Sequence, residues 1–297
     1  MQALWMVLAA FFFATMAVGI KIASGSFSLM ELVFYRGLIS IFFMGTVLRT
    51  RGIPMATPVP MMHAWRTAIG VFSLTAWFYA ISHLPLATAM TLNYMSGVWV
   101  AAFVVGGALL YGKGSTSQGA LMATVLAGFA GVVMMLRPTL DQNQLFAGLI
   151  GLLSGLGASL AYLQVTALGK IGEPESRTVF YFSIGTAVTG LAGVLLFDGF
   201  TAWSTVSWQA AAWLLPIGVL ASLGQWAMTR AFSRGATLLV ANLQYAGIVF
   251  AAFYSLLLFG EQIAPIAWLG MAVIVTSGVA ATVLRTRILP NTPGEEH

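Results

Sequence analysis

Residues 3–23 read ALWMVLAAFFFATMAVGIKIA, a run of 21 residues in which Lys21 is the one charged side chain. About 20 apolar residues in helical form suffice to cross the hydrocarbon core of a bilayer. The rest of the chain has the same character: of 297 residues, 59% are hydrophobic and 7% are charged, and the mean hydropathy is +0.92. A water-soluble protein carries about 25% charged residues. The sequence therefore predicts an integral membrane protein.

Similar runs recur along the chain, separated by charged residues, by Gly or Pro, or by polar clusters. They are apolar on all sides, and lipid offers backbone groups no hydrogen-bond partner, so each predicts a spanning α-helix. No Lys or Arg precedes the first run, which is expected to remain a helix and not to be a cleaved signal peptide. The predicted fold class is all-α integral membrane, without a separate soluble domain. The ten predicted spans are residues 3–23, 28–48, 64–82, 87–110, 118–136, 146–168, 178–197, 209–231, 236–258 and 266–284.

Basic residues are divided unevenly between the two sides that such a chain presents to water. Of the 13 Lys and Arg, three fall on one side: Lys21, Arg36 and Arg137. The ten on the other side are Arg49, Arg51, Arg66, Lys113, Lys170, Arg177, Arg230, Arg234, Arg285 and Arg287. Because basic loops stay in the cytoplasm, that side is expected to be cytoplasmic, with both termini inside. These loops also explain the net charge of +5, and no nucleic-acid partner is expected.

Segments about 150 residues apart resemble each other, which indicates an internal repeat. Ala80-Ile-Ser-His-Leu-Pro-Leu-Ala-Thr88 compares with Ala231-Phe-Ser-Arg-Gly-Ala-Thr237, and Leu109-Leu-Tyr-Gly112 compares with Leu257-Leu-Phe-Gly260. The sequence predicts two five-helix units, residues 1–140 and 141–297. Because five is odd, the units enter the membrane from opposite faces as inverted repeats, and a site between them can open to each side in turn.

Polar and aromatic side chains inside the spans are candidates for lining such a site. Amides and phenols can hydrogen-bond an amino or carboxylate group, and aromatic rings offer stacking and cation–π contacts to an ammonium. Asn93 and Tyr94 occupy positions in the fourth span that match Asn242 and Tyr245 in the ninth. The same groups could instead hold helices together. The candidate substrate-binding residues are Phe78, Asn93, Tyr94, Ser159, Tyr162, Gln225, Trp226, Asn242 and Tyr245.

The few charged residues inside or near the spans bear on mechanism. Glu31, Asp198 and Glu261 lie near span ends, and no carboxylate lies at a span centre. Proton-coupled transporters keep an ionisable relay within the membrane, so a neutral ligand moving without proton coupling is expected. Arg36 lies one to two turns inside the second span. It is expected to extend outward or to pair with Glu31 or Asp198, and binding of a carboxylate is the alternative.

Several features that resemble catalytic motifs lack an essential part. The absence of Cys excludes disulfides, thiolate nucleophiles and cysteine-based metal sites. Residues 107–113 have the spacing of a phosphate-binding loop, but Gly114 stands where Ser or Thr is required. His63 and His83 have no second ligand at metal-binding spacing. No catalytic residue, metal or cofactor is therefore expected, and the protein is expected not to be an enzyme.

The ten spans, Phe34-Tyr35-Arg36 in the second span, the two Ala-x-Ser loops and Leu257-Leu-Phe-Gly-Glu261 resemble the drug/metabolite transporter superfamily, particularly its EamA branch. The resemblance covers nearly the whole chain, although Lys113 stands where the family often has an acid. It implies a bacterial inner-membrane exporter of amino acids, aromatic ones included, with a cavity formed by spans 1, 3, 4, 6, 8 and 9.

The expected partners are an amino acid and the lipid bilayer, and the protein is expected to act as a monomer or homodimer. A sugar-phosphate or nucleotide-sugar carrier is the alternative within transport. That function needs inward-facing Lys or Arg for phosphate, and the sequence offers Arg36 alone. An intramembrane transferase is the alternative from another class, but it needs acidic motifs that the eight scattered acids do not form.

Overall fold

The computed structural model describes residues 4–99, 103, 123–124, 126–128, 130–131, 133–134, 144–234, 240 and 243–288. Over these residues the secondary structure is helical, and no strand occurs among them. A π-helical turn, Val194–Asp198, extends the sixth helix, and a 3₁₀ turn, Trp203–Thr205, precedes the seventh. The helices are α1 (Leu4–Ala23), α2 (Leu29–Thr50), α3 (Pro60–His83), α4 (Leu86–Tyr94), α5 (Leu145–Lys170), α6 (Glu175–Gly193), α7 (Trp208–Arg234), α8 (Ala246–Phe259) and α9 (Pro265–Ile288).

Five helical stretches in the described part of the chain are long and apolar enough to cross a membrane: α1, α2, α5, α6 with its π-helical turn, and α7. Helix α8 and the first half of α9 are shorter apolar helices. The predicted all-helical membrane fold is therefore confirmed over these residues. The count of ten spans stays a prediction, because much of the fourth span and most of the fifth lie outside the described residues.

Local sequence signals fix several helix ends. Ser28 and Glu31 form a capping box at the start of α2, in which each side chain accepts a hydrogen bond from the backbone N–H of the other. Pro60 stands at the first position of α3, where its fixed φ suits a helix and its missing N–H leaves no bond unmade. Gly260 ends α8 with φ of +57°, a conformation that disfavours residues with a side chain.

Each helix of the first hundred residues packs against a helix that lies after residue 144. Helix α1 packs along α7, α2 along α6, and α3 along α5, while α4 contacts α8. Small residues allow the closest approaches: a Cβ atom added at Gly37 would lie 2.4 Å from the backbone nitrogen of Ala187, and one at Gly190 would lie 2.4 Å from that of Phe34. Packing through small residues is the usual way in which membrane helices associate.

A polar cluster joins the α2–α3 loop to the α5–α6 loop on one side of the bundle. Glu173 Oε1 accepts hydrogen bonds from Thr57 Oγ1 at 2.9 Å and Arg177 Nε at 2.7 Å, and it lies 2.8 Å from His63 Nε2. Arg177 also donates to the carbonyl oxygen of Ala56 at 2.6 Å. Burial opposes ionisation of the Glu173 carboxyl, but the bonds from Arg177, His63 and Thr57 outweigh it and hold its pKa below the ordinary value.

We call this side, formed by residues 49–63, 170–177 and 230–234, the basic face, and the other side the opposite face. A second polar cluster lies on the opposite face. Lys21 Nζ lies 2.6 Å from Glu261 Oε1 and donates to the Leu84 carbonyl oxygen at 2.6 Å. Glu261 Oε2 accepts from the Leu86 N–H at 2.9 Å and from the Ser255 hydroxyl. This cluster ties the end of α1 to the α3–α4 turn and to the end of α8.

Candidate functional site

A cavity lies among α1, α3, α4, α5, α6 and α7. Its volume is about 50 Å³, which holds a few water molecules and is far below the roughly 300 Å³ of a small ligand pocket. The described conformation is therefore contracted around the cavity. The polar lining residues are Arg66, Ser73, Asn93, Tyr94, Tyr162 and Gln225, and the large apolar ones are Phe13, Leu74, Trp77, Phe182 and Met228.

Arg66 is the one charged residue among the described lining residues, and it is 3% exposed. It lies six residues after Pro60, about 9 Å along the helix axis. Its Nη2 donates to Gln225 Oε1 at 3.2 Å, and its Cζ lies 3.8 Å from the centroid of the Phe182 ring. A Cβ atom at Gly70 would lie 2.1 Å from Arg66 Nη1, so the glycine gives the side chain room to fold back along α3. Arg66 was expected at the start of the third span, among the basic residues of the cytoplasmic side, but it lies in the cavity wall.

Arg36 of α2 is 1% exposed, and its Cζ lies 5.3 Å from the centroid of the same Phe182 ring. The carboxylate of Glu31 instead accepts from the Thr201 N–H at 2.7 Å and from the Thr201 hydroxyl, while Asp198 is exposed. The expectation that Arg36 extends outward or pairs with one of these acids is therefore wrong. Glu31 does not pair with Arg36 because its carboxylate is bound by Thr201. Arg36 does not extend outward because the close packing of α2 on α6 buries it.

Tyr94 and Tyr245 each approach a glycine next to the other tyrosine's position. A Cβ atom at Gly247 would lie 2.5 Å from Tyr94 Oη, and one at Gly97 would lie 2.6 Å from Tyr245 Oη. Each tyrosine lies at an interruption of its helix: α4 ends at Tyr94, and α8 begins directly after Tyr245. Neither hydroxyl has a hydrogen-bond partner among the described residues. Tyr94 borders the cavity, whereas Tyr245 is absent from its wall.

Three further predicted residues lie on the cavity wall beside Tyr94. Asn93 Nδ2 donates to Ser154 Oγ at 3.1 Å, which fixes the amide against α5. Gln225 accepts from Arg66, as described above. The Tyr162 ring stacks on Phe232 with 5.0 Å between ring centroids.

The other predicted residues lie elsewhere. Phe78 is fully buried in the helix core, and its neighbour Trp77 lines the cavity instead. Ser159 donates to the Leu156 carbonyl oxygen of its own helix at 2.7 Å. Trp226 packs edge-on against Trp5, at 5.2 Å between centroids, near the basic face. Asn242 lies outside the described residues.

Four further residues line the cavity but were not among the predicted substrate-binding residues: Phe13, Arg66, Trp77 and Phe182. Pro60 is the signal that could have identified Arg66, because a helix that begins there has the arginine in its second turn, whereas the predicted span 64–82 has it in the first. Phe182 belongs to the seventh span, outside the six spans that the family resemblance implies, whereas spans 1, 3, 4, 6 and 8 all contribute to the wall. Apolar residues facing lipid, core or cavity look alike in the sequence.

A cavity lined by polar and aromatic side chains lies among apolar helices that are long enough to cross a membrane, which suits a membrane transporter. The comparisons agree. The chain is 33% identical over 280 residues to the pseudopaline exporter CntI of Pseudomonas aeruginosa, covering 92% of this chain and 93% of that protein. The chain therefore belongs to the same family of membrane transporters as that exporter.

Other relatives extend this result. An uncharacterized transporter of Helicobacter pylori is 27% identical, covering 90% of this chain and 89% of that protein, and a riboflavin transporter of Rhizobium johnstonii is 27% identical, covering 93% and 89%. One protein of known crystal structure shares the fold, with a TM-score of 0.67 at 18% identity over 96% of this chain and 98% of that one. No family model matches the chain, and membership of the EamA branch stays a prediction.

Proposed function

We propose that this protein is an inner-membrane exporter of amino acids, with the cavity beside Arg66 as its substrate site. The observation that carries the proposal is the guanidinium group of Arg66, buried in the cavity wall with Nε and Nη1 unpaired among the described residues. Guanidinium groups bind carboxylates through paired, charge-assisted hydrogen bonds. Every amino acid carries the carboxylate that this group requires.

The other cavity walls suit the rest of an amino acid. The side chains of Asn93 and Tyr94 offer amide and phenol oxygens to an ammonium group. The rings of Phe13, Trp77 and Tyr162 offer aromatic surface to an apolar or aromatic side chain. These features support aromatic and other neutral amino acids as cargo, which is the class that the sequence favours.

The helix pairing supports two inverted repeats and alternating access. An inverted repeat makes spans one and six equivalent, as well as spans three and eight. The α1–α7 contact is then the counterpart of the α3–α5 contact, while the α2–α6 and α4–α8 pairs each join equivalent helices. Gly37 and Ala187, which touch, are 150 positions apart, and the Tyr94–Gly247 and Tyr245–Gly97 contacts exchange the same two roles. These relations support an axis between the two halves in the membrane plane.

The two polar clusters suit the roles of gates. One cluster, around Glu173, lies at the basic face, which we assign to the cytoplasm. The other, around Lys21 and Glu261, lies at the opposite face. Because the contracted cavity lies between them, opening of either cluster would expose it to one side alone. Export corresponds to loading after the Glu173 cluster opens and release after the Lys21–Glu261 cluster opens.

A carrier of sugar phosphates or other anionic metabolites is the second candidate. From the sequence, this function was disfavoured because Arg36 was the one basic residue expected to face inward. In the structure, Arg66 is a second buried cation near Arg36. Phosphate groups are bound by arginine pairs of this kind. Competition by a sugar phosphate in the assay below separates the two functions.

The test is counterflow in proteoliposomes that are preloaded with unlabelled amino acids and supplied with labelled phenylalanine, leucine and glutamine. The intact protein is expected to accumulate label, and Arg66→Gln is expected to reduce the rate strongly. Arg234→Gln is the matched control, because Arg234 pairs with Glu175 at 2.7 Å at the basic face and is half exposed. Absence of amino-acid counterflow by the intact protein would refute the proposal.

A further inference from the structure

The two buried arginines share a single aromatic ring. The Cζ atoms of Arg66 and Arg36 lie 3.8 Å and 5.3 Å from the centroid of Phe182, so the two guanidinium groups are within about 9 Å of each other. Nε and Nη1 of both side chains are buried and have no hydrogen-bond partner within the described part of the chain. The one acceptor that either guanidinium contacts there is Gln225 Oε1. Among the described residues, the pair therefore keeps a set of buried N–H groups that have no acceptor.

No described carboxylate neutralises this pair, because each is engaged or exposed elsewhere. Glu31 binds Thr201, Glu173 binds Arg177, and Glu261 binds Lys21. Glu175 pairs with Arg234, and Asp198 is exposed. Cation–π contact with Phe182 offsets part of the cost of burying the charges, but it leaves the in-plane N–H groups unsatisfied. Buried polar groups in native proteins are nearly always paired, so this geometry points to a bound anion.

We infer that the natural cargo carries two carboxylates, one for Arg66 and one for Arg36, within an amino-acid framework. This inference rests on the proposed amino-acid export, but it assigns an acidic amino acid as cargo in place of the neutral class to which the aromatic walls point. A neutral amino acid brings one carboxylate together with an ammonium, so its net charge leaves both positive charges of the pair uncompensated. A second carboxylate supplies acceptors for the unpaired nitrogens of Arg36 and removes one further positive charge from the membrane interior.

Arg36 is the specificity-determining residue in this arrangement, and Arg66 is the common anchor. Arg66 lies on the wall of the cavity, whereas Arg36 lies behind it, against the same ring. A cargo with one carboxylate reaches Arg66. A longer acidic arm that passes Phe182 reaches Arg36 as well, so the distance between the two acids of the cargo matters.

Two pairs of probes, each differing by a single carboxylate, test the inference in counterflow. The short pair is glutamate and glutamine, and the long pair is 4-carboxyphenylalanine and 4-carbamoylphenylalanine. The intact protein is expected to prefer the acid of at least one pair by about tenfold, as expected for one charge-assisted contact. Arg36→Gln is expected to bring that ratio close to one, Arg36→Lys to restore part of it, and Arg234→Gln to leave it as in the intact protein.

The outcomes separate this inference from the function on which it rests. Transport of glutamine or phenylalanine with no preference for either acid would overturn the dicarboxylate assignment and leave amino-acid export standing. Absence of transport of every amino acid would overturn both. Stronger competition by inorganic phosphate than by either acid would also overturn the carboxylate assignment. Because the ratio in the intact protein is itself a test, misfolding of Arg36→Gln does not remove it.

Discussion

Replacement of Glu173 by glutamine is predicted to open the basic face. Glu173 receives hydrogen bonds from Arg177 Nε at 2.7 Å and Arg177 Nη2 at 3.0 Å, from Thr57 at 2.9 Å, and it contacts His63 at 2.8 Å. Removal of one partner of a buried ion pair costs about 3–5 kcal/mol. Because glutamine keeps one acceptor, a loss near 3 kcal/mol is expected, which corresponds to roughly a hundredfold shift toward the open state.

The pKa of Glu173 fixes the pH range of this effect. The pKa lies below its ordinary value in the folded protein, because the bonds from Arg177, His63 and Thr57 outweigh burial. A carboxyl group of this kind stabilises the closed cluster at pH above its ordinary pKa, and the contribution is lost as the pH falls through the lowered value. At neutral pH the cluster is intact, so the difference between Glu173 and glutamine is fully expressed there.

The assay uses the absence of native cysteine. A single Ser73→Cys substitution in the cavity wall provides a thiol that a membrane-impermeant maleimide reaches only when a face opens. In inverted vesicles, where the basic face is expected to be outside, Glu173→Gln should raise the labelling rate by up to roughly a hundredfold. Glu175→Gln at the start of α6 is the control, because it removes a single ion pair to Arg234, which is half exposed, and should change the rate little. Equal labelling rates in the two variants would refute the gating role.

Three further predictions follow from the same contacts. Gly247→Ala places a Cβ atom 2.4 Å from the Tyr94 ring and is expected to destabilise the protein by about 1–3 kcal/mol. Gly45→Ala is the control, because its added atom would have its nearest neighbour at 3.6 Å and should not destabilise the protein. Thermal unfolding in detergent compares the two variants. Lys21→Met should increase cavity labelling from the opposite face, because it removes the ion pair to Glu261, and an unchanged rate would contradict that gate. Collapse of the pH gradient at a fixed substrate gradient should leave flux unchanged, because the described cavity wall contains no carboxylate relay; a loss of flux would indicate proton coupling.

Helix positions follow closely from the sequence because charges and polar clusters bound the apolar runs. Helices α1 and α5 begin within one residue of the predicted spans. Helix α3 begins four residues earlier than predicted, at Pro60, and this moves Arg66 from the first turn of the predicted span to the second turn of the helix. The interruption after Tyr94 had no signal, because neither Gly nor Pro stands at Met95.

Part of the candidate site could be predicted from the positions of polar residues inside the apolar runs. Asn93, Tyr94, Tyr162 and Gln225 were identified because polar groups inside apolar runs have few alternatives to an internal wall. Trp226 was expected in the cavity but lies against Trp5 near the basic face. A helix that is apolar on every side does not reveal from its sequence which side faces lipid, neighbour or ligand.

The contact between Gly37 and Ala187 has a consequence for how such a chain can evolve. If two identical subunits met at this point, both would carry the same residue, either two glycines that weaken both helices or two alanines that separate them. Within one polypeptide the two positions mutate independently. One helix can therefore retain a methyl group and the better helix propensity of alanine, while the other gives up its side chain so that the backbones can touch.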